Sequence, residues 1–364
     1  MKKRLFFVLL TAFLLCGCGK AAQDAASDAG GTKGDAVPTE APAEATPEPD
    51  TAEENEVTPE AEESTPTPAP EDTSTGEKEM TEEKEDAIMV NGISIEIQCP
   101  TEITQRRAGV TYGTVIHHTY YSETTGMERG VNVLLPAEYD ETKTYPTLYM
   151  LHGIFGDENS FTGDSTNRIP EIFGNLYADG LAAEMIVVFP HMYATTDPDL
   201  KPGFTQETIS PYDNFINDLV NDLMPFIEAN YSVSKERDQR AIAGFSMGGR
   251  ETLFIGLSRP DLFAYVGAIA PAPGLTPGKD WAMEHPGQLA EEELTFVGKE
   301  YEPTVLMVCC GTRDSVVGKF PLSYHEIFTT NEVEHVWYEV TGADHDNTAI
   351  RSGLYNFVRA IFKN

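Results

Sequence analysis

Residues 240–250 read Arg-Ala-Ile-Ala-Gly-Phe-Ser-Met-Gly-Gly-Arg, and within them Gly244, Ser246 and Gly248 form the pattern G-x-S-x-G. The apolar run from Arg240 to Gly244 has strand character, whereas RETLFIGLS (250–258) has helical character until Pro260 stops it. A strand that turns sharply into a helix holds the residue at the turn in a strained conformation with its side chain projecting outward. Glycines two positions to either side let strand and helix pass closely. The N–H groups of the first helical turn lack intrahelical acceptors, so they face any negative charge that develops beside the serine. Ser246 is therefore the candidate nucleophile, and the N–H of Met247 is one candidate donor to an oxyanion.

Outward from this turn, short β-like runs alternate with longer helical ones. Strands are expected over 114–121, 130–135, 147–151, 185–190, 240–244, 264–271, 304–310 and 335–340, the first two as an antiparallel pair. Phe215, Ile216, Leu219, Val220, Leu223 and Phe226 recur at helical spacing within 213–231, and residues 355–362 read as a closing helix. No internal repeat is present. The pattern predicts an α/β-hydrolase fold over residues 87–364, with a mostly parallel central sheet of about eight strands and helices on both faces.

A serine hydroxyl is a weak nucleophile at neutral pH and needs a base within hydrogen-bond reach. Of the eight histidines, His345 lies in a loop between the last expected strand and the last helix, where it could reach over the sheet edge to Ser246. His152 directly follows the TLYML strand (147–151) and reads as a structural partner of the loop His152–Gly156. The remaining six read as surface or satisfied core histidines. Asp314 follows the TVLMVCC strand (304–310) and fits as the carboxylate that orients the imidazole, which gives the order Ser, Asp, His. Asp344 and Asp346, which flank His345, read as loop and cap residues. A second oxyanion donor is expected after the TLYML strand, from Ile154 or alternatively Phe155.

Four segments taken in order, YPTLYMLHGIFGDENSF (145–161), RAIAGFSMGG (240–249), GTRDSVVG (311–318) and GADHD (342–346), resemble carbohydrate esterase family 1. The stretch YYSETTGMERGVNVLLPAEYD (120–140) is similar to that family's opening strands. The family holds feruloyl and acetylxylan esterases, with esterase D and mycolyltransferases as more distant relations. The resemblance implies a serine esterase that needs no metal or organic cofactor and acts on feruloylated or acetylated plant polysaccharide, with Ser246, Asp314 and His345 in the catalytic roles. Arg313 departs from the family pattern beside the acid. For a feruloyl ring, Phe155, Phe161, Tyr193, Phe204 and Tyr212 are candidate aromatics, and the irregular segment 271–300 is a candidate wall with Trp281. An acyltransferase, an esterase for siderophores or other acyl-glycans, and a non-catalytic carbohydrate-binding module remain as alternatives.

The N-terminus fixes the expected compartment. Lys2, Lys3 and Arg4 precede an apolar run, Leu5 to Leu15, that is too short to span a bilayer and reads as a secretory signal. Leu-Cys-Gly-Cys (15–18) resembles a bacterial lipobox. That likeness implies removal of residues 1–17, lipidation of Cys18 and anchoring at the extracellular face of the membrane through lipid alone. Residues 18–86 are rich in Pro, Thr, Ala and Glu and contain no aromatic residue, so they read as a disordered, extended tether. They hold half of the chain's formal charge of −34. The remainder is still strongly acidic, which excludes nucleic acid and anionic lipid surfaces as partners. Cys99, Cys309 and Cys310 read as buried free thiols, with a Cys99 bridge as the alternative. No metal-ligand spacing is present.

Overall fold

The computed structural model describes residues 87–163 and 166–363. The signal segment 1–17, Cys18 and the tether 18–86 lie outside the described residues. A small hairpin, β1 (Met89–Val90) with β2 (Ile93–Ser94), opens the described part. The central sheet follows: β3 (Thr114–Ser122), β4 (Met127–Leu135), β5 (Thr147–Leu151), β6 (Ile186–Pro190), β7 (Arg240–Phe245), β8 (Tyr265–Ile269), β11 (Val305–Gly311) and β12 (Val336–Val340). Between β8 and β11 stands a second hairpin, β9 (Gly278–Lys279) with β10 (Glu284–His285). The sheet order is β12-β11-β8-β7-β5-β6-β4-β3. Within this sheet only the β3–β4 and β4–β6 pairings are antiparallel. All eight expected strands are therefore present, and the expected antiparallel pair is the first one.

Seven α-helices stand among the described residues: α1 (Ile169–Ala178), α2 (Gln206–Asp213), α3 (Phe215–Asp218), α4 (Met224–Asn230), α5 (Met247–Ser258), α6 (Phe320–Thr330) and α7 (Asn347–Ala360). The two faces of the sheet part cleanly along single strands. In β5, Leu148 and Met150 join the apolar cluster beneath α1 and α7, whereas Tyr149 and Leu151 join the one beneath α3, α5 and α6. That is the period of two expected of a strand buried on both faces. Cys309 and Cys310 likewise fall into different clusters, and all three cysteines of the described residues are free, so Cys99 has no bridge.

Two helical expectations need correction. The helix expected over 213–231 starts earlier, at Gln206, and is broken by a π turn at Leu219–Leu223. Pro225 carries no N–H to continue the ladder, and the N–H of Met224 donates to Leu219 O, five residues back. The closing helix begins at Asn347 rather than at 355, because Asp346 accepts hydrogen bonds from the N–H groups of Thr348 and Ala349 and so caps it. The capping role expected of Asp346 is thus correct, and its consequence for the helix start is what the periodicity missed.

α7 packs on β8 almost without clearance. A Cβ on Gly267 would lie 2.7 Å from Cδ2 of Phe357, and one on Gly353 would lie 2.6 Å from Cγ1 of Ile269. Strand propensity favours valine over glycine at Gly267, but packing opposes it and is the larger effect. Gly267→Val is expected to lower the unfolding free energy by about 1–3 kcal/mol, read as an earlier midpoint in urea at unchanged slope.

Candidate active site

The parallel strands all deliver their loops to one edge of the sheet, where ligands bind in open α/β folds. Ser246 stands at the turn from β7 into α5 with φ 57° and ψ −118°, a backbone conformation that L residues rarely adopt. The surroundings over-determine it. Ser246 N–H donates to Ile269 O at 3.0 Å, and Ser246 O accepts from the N–H groups of Arg250 and Ala272, both at 3.0 Å. The glycines are required by contact: a Cβ on Gly244 would lie 2.3 Å from Gly248 O, and one on Gly248 would lie 2.2 Å from Leu151 O.

His345 sits in the loop between β12 and α7, and its Nδ1 is 2.8 Å from Oδ2 of Asp314, whose side chain is wholly buried. An ionised carboxylate can only accept, so Nδ1 carries the hydrogen and Nε2 is left as a base. The second oxygen of Asp314 accepts from Val316 and Val317 N–H, both at 3.0 Å. The imidazole also lies over the ring of Phe245, 4.4 Å between centroids. Thus the residue before Ser246 supports the imidazole of His345, a contact that nothing in the sequence signalled. Arg313, which departs from the family pattern, joins the two loops: its N–H donates to Ala343 O at 2.9 Å and its guanidinium to Gly342 O. Asp344 completes the join by accepting from the N–H groups of His345 and Ser315.

Ser246, Met247, Gly153, Ile154 and His345 line one cavity of about 200 Å³. The two alternatives for the second oxyanion donor part here. Phe155 N–H is occupied by the Tyr212 hydroxyl at 3.1 Å, whereas Ile154 borders the cavity. His152 supports this loop as expected. It is buried, its Nδ1 donates to Gly153 O at 2.7 Å, and its Nε2 accepts from Met192 N–H at 2.9 Å, which fixes a neutral tautomer. Burial lowers its pKa to about 3.

The aromatic candidates separate by exposure. Phe161, Tyr193 and Tyr212 are core residues and do not form an aromatic slot. Phe204 and Trp281 line the cavity, and Trp281 is 71% exposed. Phe155 does not line it; its ring stands edge-on to Phe204 at 5.4 Å, and Phe204 in turn meets Trp281 at 5.3 Å. Segment 271–300 does form a wall, as expected, through Ala272, Pro273, Asp280, Trp281 and His285. The sequence reading missed His285, which is buried on the cavity wall with Nε2 3.1 Å from Asp280 Oδ2, off the line of a good hydrogen bond. The signal was Asp280 itself, which accepts from the N–H groups of Ala282 and Met283 and so turns the hairpin that brings His285 back.

Behind this wall lies a cluster of buried charge. Arg250 is shared between Glu251 and Asp213, and Gln288 of the wall donates to both carboxylates. Burial pushes the pKa of Glu251 and that of Asp213 upward. The cluster fixes the wall to α5, the helix that follows Ser246.

The Esterase family model matches residues 122–337, more than half of the chain. A ferulic acid esterase of carbohydrate esterase family 1 from Anaeromyces mucronatus, solved with ferulic acid, is 46% identical with a TM-score of 0.71, covering 74% of this chain and 98% of that one. This chain belongs to that family. An endo-1,4-beta-xylanase/feruloyl esterase of Xylanibacter ruminicola is 35% identical over 173 residues, 45% of this chain and 22% of that protein. An esterase of Mycobacterium tuberculosis is 31% identical over 140 residues, 36% of this chain and 27% of that protein. The esterase thus matches about a quarter of the length of these curated relatives. Its fold is the expected α/β-hydrolase fold.

Burial of His152 opposes its protonation and is expected to make the fold acid-sensitive. Its pKa is about 3 folded and 6.5 in the unfolded chain, so between those values the unfolded state binds the extra proton. Its contribution to stability is complete above pH 6.5 and is lost as the pH falls toward 3. Urea titrations from pH 7 to 4.5 are expected to show a steeper acid loss in the native protein than in His152→Asn, by up to about 1.4 kcal/mol per pH unit.

Proposed function

We propose that the esterase removes feruloyl groups from plant xylan by a two-step acyl transfer through Ser246. His345 Nε2 takes the proton of Ser246 Oγ as the oxygen attacks the ester carbonyl, and the bond to the sugar oxygen breaks with return of that proton to the leaving alcohol. Water then repeats the sequence on the acyl-enzyme and releases the acid. The N–H groups of Met247 and Ile154 hold the oxyanion in both halves. Asp314 keeps the imidazole in the tautomer that leaves Nε2 free.

The observation that carries the choice of acyl group is the cavity beside Ser246. It holds about 200 Å³ and is walled by Phe204, Ile209, Trp281 and Val316. An acetyl group would leave most of it empty, whereas a planar aromatic acyl group fills it and meets aromatic edges at its rim. The Asp280–His285 pair supplies the polar group that a phenolic ring needs at an otherwise apolar wall. The names of the ferulic acid and feruloyl esterase relatives support the same reading. Secretion and a lipid anchor at Cys18 would put the activity at the outer face of the membrane, where polymeric substrate is met.

Purified protein is expected to release ferulate from methyl ferulate. Ser246→Ala should abolish the release, and Asp314→Asn should lower kcat by roughly ten-thousand-fold through the wrong tautomer. Acetate release from p-nitrophenyl acetate without ferulate release would replace feruloyl by acetyl; silence on both esters from folded protein would overturn the esterase reading. For the anchor, Cys18→Ala is expected to move the protein from the membrane to the soluble fraction, and an unchanged distribution would refute lipidation there.

A further inference from the structure

A second cavity opens on the same edge of the sheet and has no part in the chemistry above. It holds about 260 Å³ and lies between the start of β4 and the segment after β6, with Glu128, His191, Thr195, Leu200, Lys201 and Pro202 among its walls. In the sheet order, β6 and β4 stand two and three places from β7, on the side opposite β11 and β12. At a strand spacing of ~4.8 Å, the cavity opens roughly 10–15 Å from Ser246, on the side away from the His345 loop. Pro202 lines this cavity and Phe204, two residues on, lines the one beside Ser246, so a single segment divides them.

Its chemistry suits a neutral, hydroxyl-rich ligand. Arg129 is buried in the floor with its charge matched by Asp218, Nε to Oδ2 at 3.1 Å, and it donates to the carbonyls of Tyr193 and His191. The floor is therefore fixed and offers no free cation. Glu128 and Lys201 are both exposed and offset each other at the rim. His191 is half-buried, and its ring nitrogens have no partner among the described residues. Burial and then the neighbouring Arg129 charge lower its pKa, so at neutral pH it presents one donor and one acceptor. Leu200 and Pro202 give an apolar face for C–H groups.

We propose that this cavity is a subsite for the glycan that carries the ester, a neutral sugar chain whose hydroxyls meet His191 and whose apolar face lies on Leu200. The proposal rests on the reading of the enzyme as an esterase for glycan-linked acyl groups. The closing experiment separates the two. Purified full-length protein, His191→Phe and Leu200→Trp are each assayed on methyl ferulate, which carries no sugar, and on a feruloylated arabinoxylo-oligosaccharide. Loss of one hydrogen bond, or filling of the cavity, is expected to raise KM for the oligosaccharide ester about tenfold relative to methyl ferulate on the same preparation. Equal shifts on both substrates, or none, would overturn the subsite and leave the esterase reading standing. Xylotetraose, which has no ester, is also titrated calorimetrically into the native protein and Leu200→Trp. Binding by the native protein that the variant loses supports the subsite even if no ferulate is released; no binding by either overturns it.

Discussion

The close passage of α5 across the ends of β5 and β7 is the constraint on which the rest of the site depends. Gly248 meets the carbonyl of Leu151 and Gly244 meets that of Gly248 with no room for a methyl group, so backbone packs directly on backbone. That contact brings the turn carrying Ser246 beside the loop that carries Gly153 and Ile154. It also forces Ser246 into a left-handed conformation, which three backbone hydrogen bonds hold in place. The strain at one residue is maintained by the packing of two strands and a helix, and it sets the buried Ser246 on the wall of the cavity.

Around this rigid centre, three buried charged or titratable groups are each matched by partners. Asp314 is wholly enclosed, yet its two oxygens accept from His345 and from two backbone N–H groups. Arg250 lies between two carboxylates, and removing any one member would leave a buried charge without its partner, which is costlier than never having had it. His152 takes the opposite course: burial keeps it neutral, and both ring nitrogens are used. The same rule, satisfaction before burial, accounts for all three.

Much of this arrangement was legible in the sequence, and what was not has a common cause. G-x-S-x-G identified the turn because its glycines answer a steric demand that is local in the chain. Asp314 and His345 were found because each follows a strand, and strand ends map to one edge of a parallel sheet. Phe245 beneath the imidazole and Gln288 on the buried carboxylates are contacts between segments far apart in sequence, and no period or spacing encodes them. The break in the helix before α4 was foreshadowed by Pro225, but apolar periodicity runs unbroken through a π turn because the buried face is preserved. The aromatic candidates failed where residue type was used without depth: Tyr193 and Tyr212 have the right chemistry but are in the core.

The joined loops of Asp314 and His345 contrast with the exposed aromatic rings near the cavity at Ser246. The loops are stitched to each other through Arg313 and Asp344, whereas Phe155 and Trp281 each meet the ring of Phe204 and all three are exposed. Free energies of local opening follow such differences in packing. The Asp314–His345 pair is thus held by more hydrogen bonds than the group of exposed aromatic rings. On the proposed reading of these aromatics as the acyl-binding group, warming or mild denaturant would loosen them first, and the enzyme would become less choosy before it became slow.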